Sequence, residues 1–192
     1  DISSVKGSVV VEDFSKEKFK MHLKSGHVHV IGILPGGVVT KKETADIQLD
    51  ENGEFVRDPK VDIVKTAVVE RHQGTGNVAC GFLKGYGIKE GAVALSIAHD
   101  SHNIIVVGVS DEEMEAAVNA LIAQEGGIVL VKDGQVIESM PMPIAGLMSD
   151  CSGEWVDQKL TDIHEKAYSE LGICGDVEPV MTLCFMSLAV IP

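Results

Sequence analysis

Apolar and polar positions along this chain predict strands joined mostly by turns and interrupted by two helices. The clearest strand signals are two nearly continuous apolar runs, residues 92–98 (AVALSIA) and 104–109 (IIVVGV), which predict a buried hairpin in a core sheet. Residues 27–34 (HVHVIGIL) predict a strand that stops at Pro35-Gly36-Gly37, with residues 38–47 as its return. Residues 61–70 (VDIVKTAVVE) predict another strand, and residues 74–91 read as a glycine-rich stretch after it. Val9 to Val11 centre a short strand in an otherwise polar opening, and Asp50-Glu51-Asn52-Gly53 reads as a turn. Residues 128–131 and 136–139, joined at Asp133-Gly134, predict a further hairpin.

Two segments carry helical periodicity. Ser110 with Glu113 forms a capping box, Met114, Val118, Leu121 and Ile122 make one apolar face, and Gly126 ends the helix. Ser152 caps a second helix whose Val156, Leu160, Ile163, Ala167 and Leu171 face inward, and Gly172 stops it. Residues 140–148 (MPMPIAGLM) are apolar but broken by two prolines, which predicts a packed loop. Residues 181–191 are read as a last strand. The expected class is α+β, with a mixed or largely antiparallel sheet built from hairpins and packed by two main helices.

Composition narrows the function classes. Apolar residues make up 45% of the 192 residues but aromatics only 4%, so the core is built from aliphatic side chains. The formal charge of −13 argues against nucleic acid, since phosphate binding needs a basic surface. No apolar stretch is long enough for a membrane span. Cys80, Cys151, Cys174 and Cys184 form no CxxC and read as reduced, buried thiols of a cytoplasmic protein. The chain opens at Asp1 without Met and stops after an apolar run, as a piece of a longer protein would.

Candidate chemistry lies where polar residues interrupt the strands. His99-Asp100-Ser101-His102-Asn103 puts two imidazoles, a carboxylate, a hydroxyl and a carboxamide at one end of the central hairpin. Polar side chains at the ends of rigid strands suit a site, although Asp, Ser and Asn are also ordinary turn residues. Arg71-His72-Gln73-Gly74-Thr75-Gly76-Asn77 is the second such stretch, with Gly74 and Gly76 allowing close backbone approach. The structural alternative pairs Arg71 with Asp100 or Glu70 and leaves the rest as satisfied turn groups. His164 on the second helix reads as a partly exposed structural residue, and Trp155 as a packing one.

Three patterns are rejected. His27-Val28-His29 has the look of a metal pair on a barrel strand, but a complete (β/α)8 barrel takes about 250 residues in a regular strand–helix rhythm. A solvent-facing pair on a half-buried strand is the preferred reading. Gly74 to Ala79 fits G-x-G-x-x-A, but Gly81, Gly85 and Gly87 follow where a sustained helix should receive the phosphate. The H-x-E and P-C-x-x-C halves of the zinc nucleobase-deaminase signature are both missing.

At these same residues the sequence resembles a known family. Residues 68–77 (VVERHQGTGN) are similar to a VVERHxGTGN stretch of bacterial adenine deaminases, and residues 81–87 (GFLKGYG) to their GFVKGFG. Residues 98–108 (AHDSHNIIVVG), 143–150 (PIAGLMSD) and the run from Pro179 to Pro192 resemble further motifs of that family, in the same order. The likeness covers roughly residues 28–192 and falls on the family's C-terminal domain.

The resemblance implies that residues 26–192 form this domain. Residues 1–25 are then a linker or edge segment after an N-terminal amidohydrolase barrel that this sequence does not include. It further implies that the parent enzyme converts adenine and water to hypoxanthine and ammonia, with manganese or iron held in the barrel. No cofactor is expected in this piece, which is expected to be inactive alone. Expected partners are the barrel, adenine and further copies of the enzyme, with no nucleic acid and no membrane. Arg71, His72, Gly74, Thr75, Gly76, Asn77, His99, Asp100, His102 and Asn103 are the candidates for lining the substrate cleft or supporting it; the alternative is a non-catalytic assembly module.

Overall fold

In the computed structural model, which describes residues 2–189, one eight-stranded sheet runs through the molecule between two unequal layers. The strands are β1 (His27–Ile33), β2 (Thr40–Asp46), β5 (Ile63–Val69), β6 (Val78–Lys84), β7 (Ala92–Leu95), β8 (Ile104–Gly108), β9 (Gly127–Lys132) and β10 (Gln135–Pro141). Their spatial order is β10-β9-β7-β8-β5-β6-β1-β2, with the short β3 (Gln48–Leu49) and β4 (Phe55–Val56) paired separately. Every pairing is antiparallel except β1 with β6, so the expected α+β class with a largely antiparallel sheet holds.

The central strands are apolar at consecutive positions because both faces are covered. Val93, Leu95, Ile105, Val107, Ile128 and Leu130 point into one core, under α2 (Gly153–Ser169) and α3 (Pro179–Phe185). Ala92, Ala94, Ile104, Val106, Val129 and Val131 point into the other, under α1 (Asp111–Ala123). Alternation survives in β1, next to the edge strand β2, where His27 and His29 are exposed and Val28 and Val30 turn inward, as expected for that pair.

The cap signals act where they were read, with one half missing. Ser110 accepts the Glu113 N–H, but the Glu113 carboxylate accepts the Gly134 N–H instead of closing a capping box, and the Ser152 hydroxyl accepts the Trp155 N–H. The Asp133-Gly134 hairpin has φ +52° and +70° at its two turn residues, which suits Asp-Gly. His164 bonds Glu178 and the Leu160 carbonyl, and Trp155 packs against the core.

Five expectations are corrected. Residues 181–191 do not form a strand: Pro179 at the first helical position and the Glu178 side chain, which accepts the Met181 N–H, start α3, and residues 190–191 lie outside the described residues. Val9 to Val11 form no strand, although the Val10 N–H bonds the Arg71 carbonyl. The glycine-rich stretch contains β6, which pairs with β5 over seven residues despite Gly81. Met140 and Pro141, expected in a loop, end β10. Cys151 and Cys174 are exposed and Cys80 is half-buried; Cys184 is buried, and all four thiols are free.

Candidate functional site

The two polar stretches meet at one end of the sheet. Residues 70–77 connect β5 to β6 and residues 96–103 connect β7 to β8; β8 pairs with both β5 and β7, so the loops are neighbours. Residues 144–148 and the segment from Ile2 to Val10 close over the same end. There the Ala145 N–H bonds the Val5 carbonyl, and Lys6 pairs with Asp150 at 2.8 Å.

Arg71 lies at the centre, 1% exposed, and it meets neither Asp100 nor Glu70. Its Nε donates to the His102 carbonyl at 2.5 Å and its Nη2 to the Ala145 carbonyl at 3.0 Å, while Nη1 is buried without a partner. Its own N–H reaches Asn103 Oδ1 at 3.4 Å. The guanidinium therefore ties three connections together from inside, and burial alone lowers its pKa. Ser96 works beside it, donating to the Gly146 carbonyl and accepting the Gly127 N–H.

Glu70 organises the glycine-rich loop, a role not anticipated from the sequence. Its carboxylate accepts the N–H groups of His72, Gln73 and Thr75 and the Thr75 hydroxyl. These bonds overcome the burial that opposes charge and hold its pKa down at about 2. The Glu70 N–H closes the loop on the Asn77 carbonyl at 3.0 Å. Donors that could have cradled a foreign anion thus serve the loop's own carboxylate. Gly74 and Gly76 sit at φ +62° and +70°, where Glu12 and Lys18 approach from the opening segment. The available sequence signal was a Glu followed by a short loop containing two glycines.

The five-residue cluster divides by role. Ser101 and Asn103 belong to the loops' own framework: His72 Nε2 bonds the Ser101 carbonyl at 2.8 Å, and Asn103 reaches the Ser101 hydroxyl at 3.4 Å. His99, Asp100 and His102 keep their side chains uncommitted to hydrogen bonds. His99 is exposed and stacks on Phe185, with centroids 5.1 Å apart and planes 5° from parallel. Its N–H donates to the Cys184 carbonyl at 2.6 Å, which joins α3 to the cluster. The His102 ring lies 5.7 Å from that of His99, with Nδ1 buried and unpartnered. Burial first, then His99 and Arg71, lower the His102 pKa and favour the neutral imidazole.

Among the described residues no group of three His, Cys, Asp or Glu side chains is placed to hold a metal ion. The surroundings of this end of the sheet are apolar: Ile2, Val5, Val10 and Met148 are exposed, Met148 by 58%. Met140, also in the run first read as a loop, is buried, and Met142 packs on the core.

A family profile described as adenine deaminase C-terminal domain matches residues 37–192. The chain is similar to adenine deaminase 2 of Desulfotalea psychrophila, 66% identical over 192 residues, covering 100% of this chain and 33% of that relative. It is 49% identical over 191 residues to adenine deaminase of Ligilactobacillus salivarius, and 44% over 192 residues to adenine deaminase 2 of Carboxydothermus hydrogenoformans. Each match covers 100% of this chain and 33% of the relative, so the chain spans a third of the length of these proteins.

Proposed function

The chain belongs to the adenine deaminase C-terminal domain family, and from that premise we propose that it is one part of an enzyme hydrolysing adenine to hypoxanthine and ammonia. The remaining part is an amidohydrolase barrel that holds manganese or iron, and this chain caps or supports it. Residues 1–25 are the linker or edge segment that follows it. The isolated domain is inactive, and the assembled enzyme is a cytoplasmic homo-oligomer.

One observation carries the reading: the side chains of His99, Asp100 and His102, like those of Gln73 and Asn77 in the adjoining loop, have no hydrogen-bond partner among the described residues, at an end of the sheet fringed by exposed Ile2, Val5 and Met148. Apolar surface around polar groups suits a surface covered by another domain. A neutral His102 with a free ring nitrogen can accept or donate one hydrogen bond there, orienting the substrate or a group beside it. Replacing His102 or Asp100 by Ala in the full-length enzyme should lower turnover at least about tenfold with the melting temperature held. Unchanged kinetics would remove the cluster from the substrate cleft.

A second reading has support of its own. Arg71, Glu70, His72 and Asn103 are occupied within the domain's own loops, as an assembly module requires. Under that reading the same substitutions change melting or oligomeric state and leave the rate of correctly assembled enzyme alone. Gel filtration beside the kinetics separates the two.

A further inference from the structure

A second concentration of uncommitted charge lies at the opposite end of the same strands. β5 and β7 both lead away from a cleft of about 580 Å³ between residues 57–62, 87–89 and 172–175. Arg57, Lys60, Asp62 and Lys89 line it. The chain has 29 Asp and Glu against 16 Lys and Arg, and among the described residues Lys18, Lys20, Lys24, Lys42 and Arg71 make no ion pair, each apart from the cleft. Lys6, Lys16, Lys41, Lys65, Lys84, Lys132, Lys159 and Lys166 all have a carboxylate partner. Among the described residues Arg57, Lys60 and Lys89 also make no ion pair, yet they share one cleft.

The cations are not balanced from within. Asp62, the one carboxylate of the lining, already accepts the Gly87 N–H at 3.0 Å. Three cations against one carboxylate leave the lining with two positive charges. Arg57 is anchored: its Nη2 donates to the Ile88 carbonyl at 3.1 Å, and its Nε is buried with no partner. Lys60 and Lys89 are exposed and approach from separate loops, as two mobile point charges beside a fixed guanidinium.

We infer that this cleft binds a small anion through a phosphate group. Phosphate carries about −1.5 to −2 charge near neutral pH and matches two uncompensated cations better than a single carboxylate does. The volume falls within the roughly 300–1,000 Å³ of small-molecule sites, so the phosphate can be free or carried by a nucleotide-sized molecule. The cleft lies at the far end of β5 and β7 from His99 and His102, so the site stands independently of the proposed deaminase reading.

The test is titration calorimetry of the full-length enzyme at low ionic strength, with inorganic phosphate and with a nucleoside monophosphate. Lys60→Glu/Lys89→Glu should weaken binding of whichever probe binds by at least about tenfold. Lys24→Glu/Lys42→Glu, a reversal of equal size elsewhere, should leave it unchanged, and circular dichroism confirms folding of both variants. Binding of inorganic phosphate assigns the site to the free anion, and binding of the monophosphate alone assigns it to a phosphorylated metabolite. No heat with either probe, equal affinity in the cleft variant, or equal loss in both variants overturns the proposal.

Discussion

The Arg71 guanidinium donates through Nε to the main-chain oxygen of His102, at 2.5 Å, and so fixes one polar loop on the side chain of the other. Both motifs that stand out in the sequence therefore depend on a single buried cation, held by carbonyl groups at Nε and Nη2 while Nη1 has no partner. Its replacement should be felt first as lost stability.

Arg71→Met keeps comparable bulk but leaves the His102 and Ala145 carbonyls without their donors. Stability should fall by about 2–4 kcal/mol, from about 1–3 per unsatisfied buried acceptor less the relief of a buried charge. Arg71→Lys should fall between wild type and Met, since an ammonium lacks the fork that reaches both oxygens. Urea unfolding measures this, and an unchanged midpoint for Arg71→Met would show that Arg71 is not the tie described.

Gly146→Ala should be costly although it adds one methyl group. Gly146 sits at φ +70°, and a Cβ there would lie 2.7 Å from Arg71 Nη1 and 2.9 Å from Cζ. The left-handed backbone alone costs about 1–2 kcal/mol for a residue with a side chain, and the bonded guanidinium has little freedom to retreat. A loss of about 2 kcal/mol or more is expected in the same assay. Gly134→Ala, at φ +70° with open space around it, should cost less and isolates the steric part.

Glu70 sets an acid limit on the polar end of the sheet. Its folded pKa of about 2 lies below the ordinary 4.5, so its contribution is fully present above the unfolded value. That contribution fades as pH falls from about 4.5 toward 2. Glu70→Gln should flatten this part of the stability–pH curve and speed exchange of the His72, Gln73 and Thr75 amides. An unaltered pH profile would show that the carboxylate does not hold the loop.

Met148→Asp tests the apolar rim. Met148 is 58% exposed here, so a charge should be tolerated by the domain itself, yet it would be buried where the full-length enzyme covers this face. The full-length variant should melt several degrees lower, while Val136→Asp at the β10 edge, where Val136 is 49% exposed, should not. Equal melting of both variants would place the covered face elsewhere.

Features set by neighbours in sequence were legible. Ser110, Ser152 and Asp133-Gly134 act through bonds and dihedrals within a few residues, so α1, α2 and the β9–β10 hairpin appear where their signals lie. The buried hairpin of β7 and β8 was equally plain, because two short apolar runs rich in Val and Ile, separated by a polar turn, suit strands covered on both faces. The run after Pro179 was misread because seven compact, mostly apolar residues suit strand or helix alike; Glu178-Pro179 was the cap signal that should have decided it.

The chain by itself determined its family, its class and the identity of the polar residues at the strand ends, because motif order, periodicity and capping are written in consecutive residues. Only the tertiary structure decided what those residues do. Arg71 reaches Ala145 across 74 positions, Lys6 meets Asp150 across 144, and Arg57 joins Lys89 at one cleft from different loops. Whether a buried cation meets a carboxylate or a carbonyl depends on which distant loop packs over it, and sheet order, not local pattern, sets that choice.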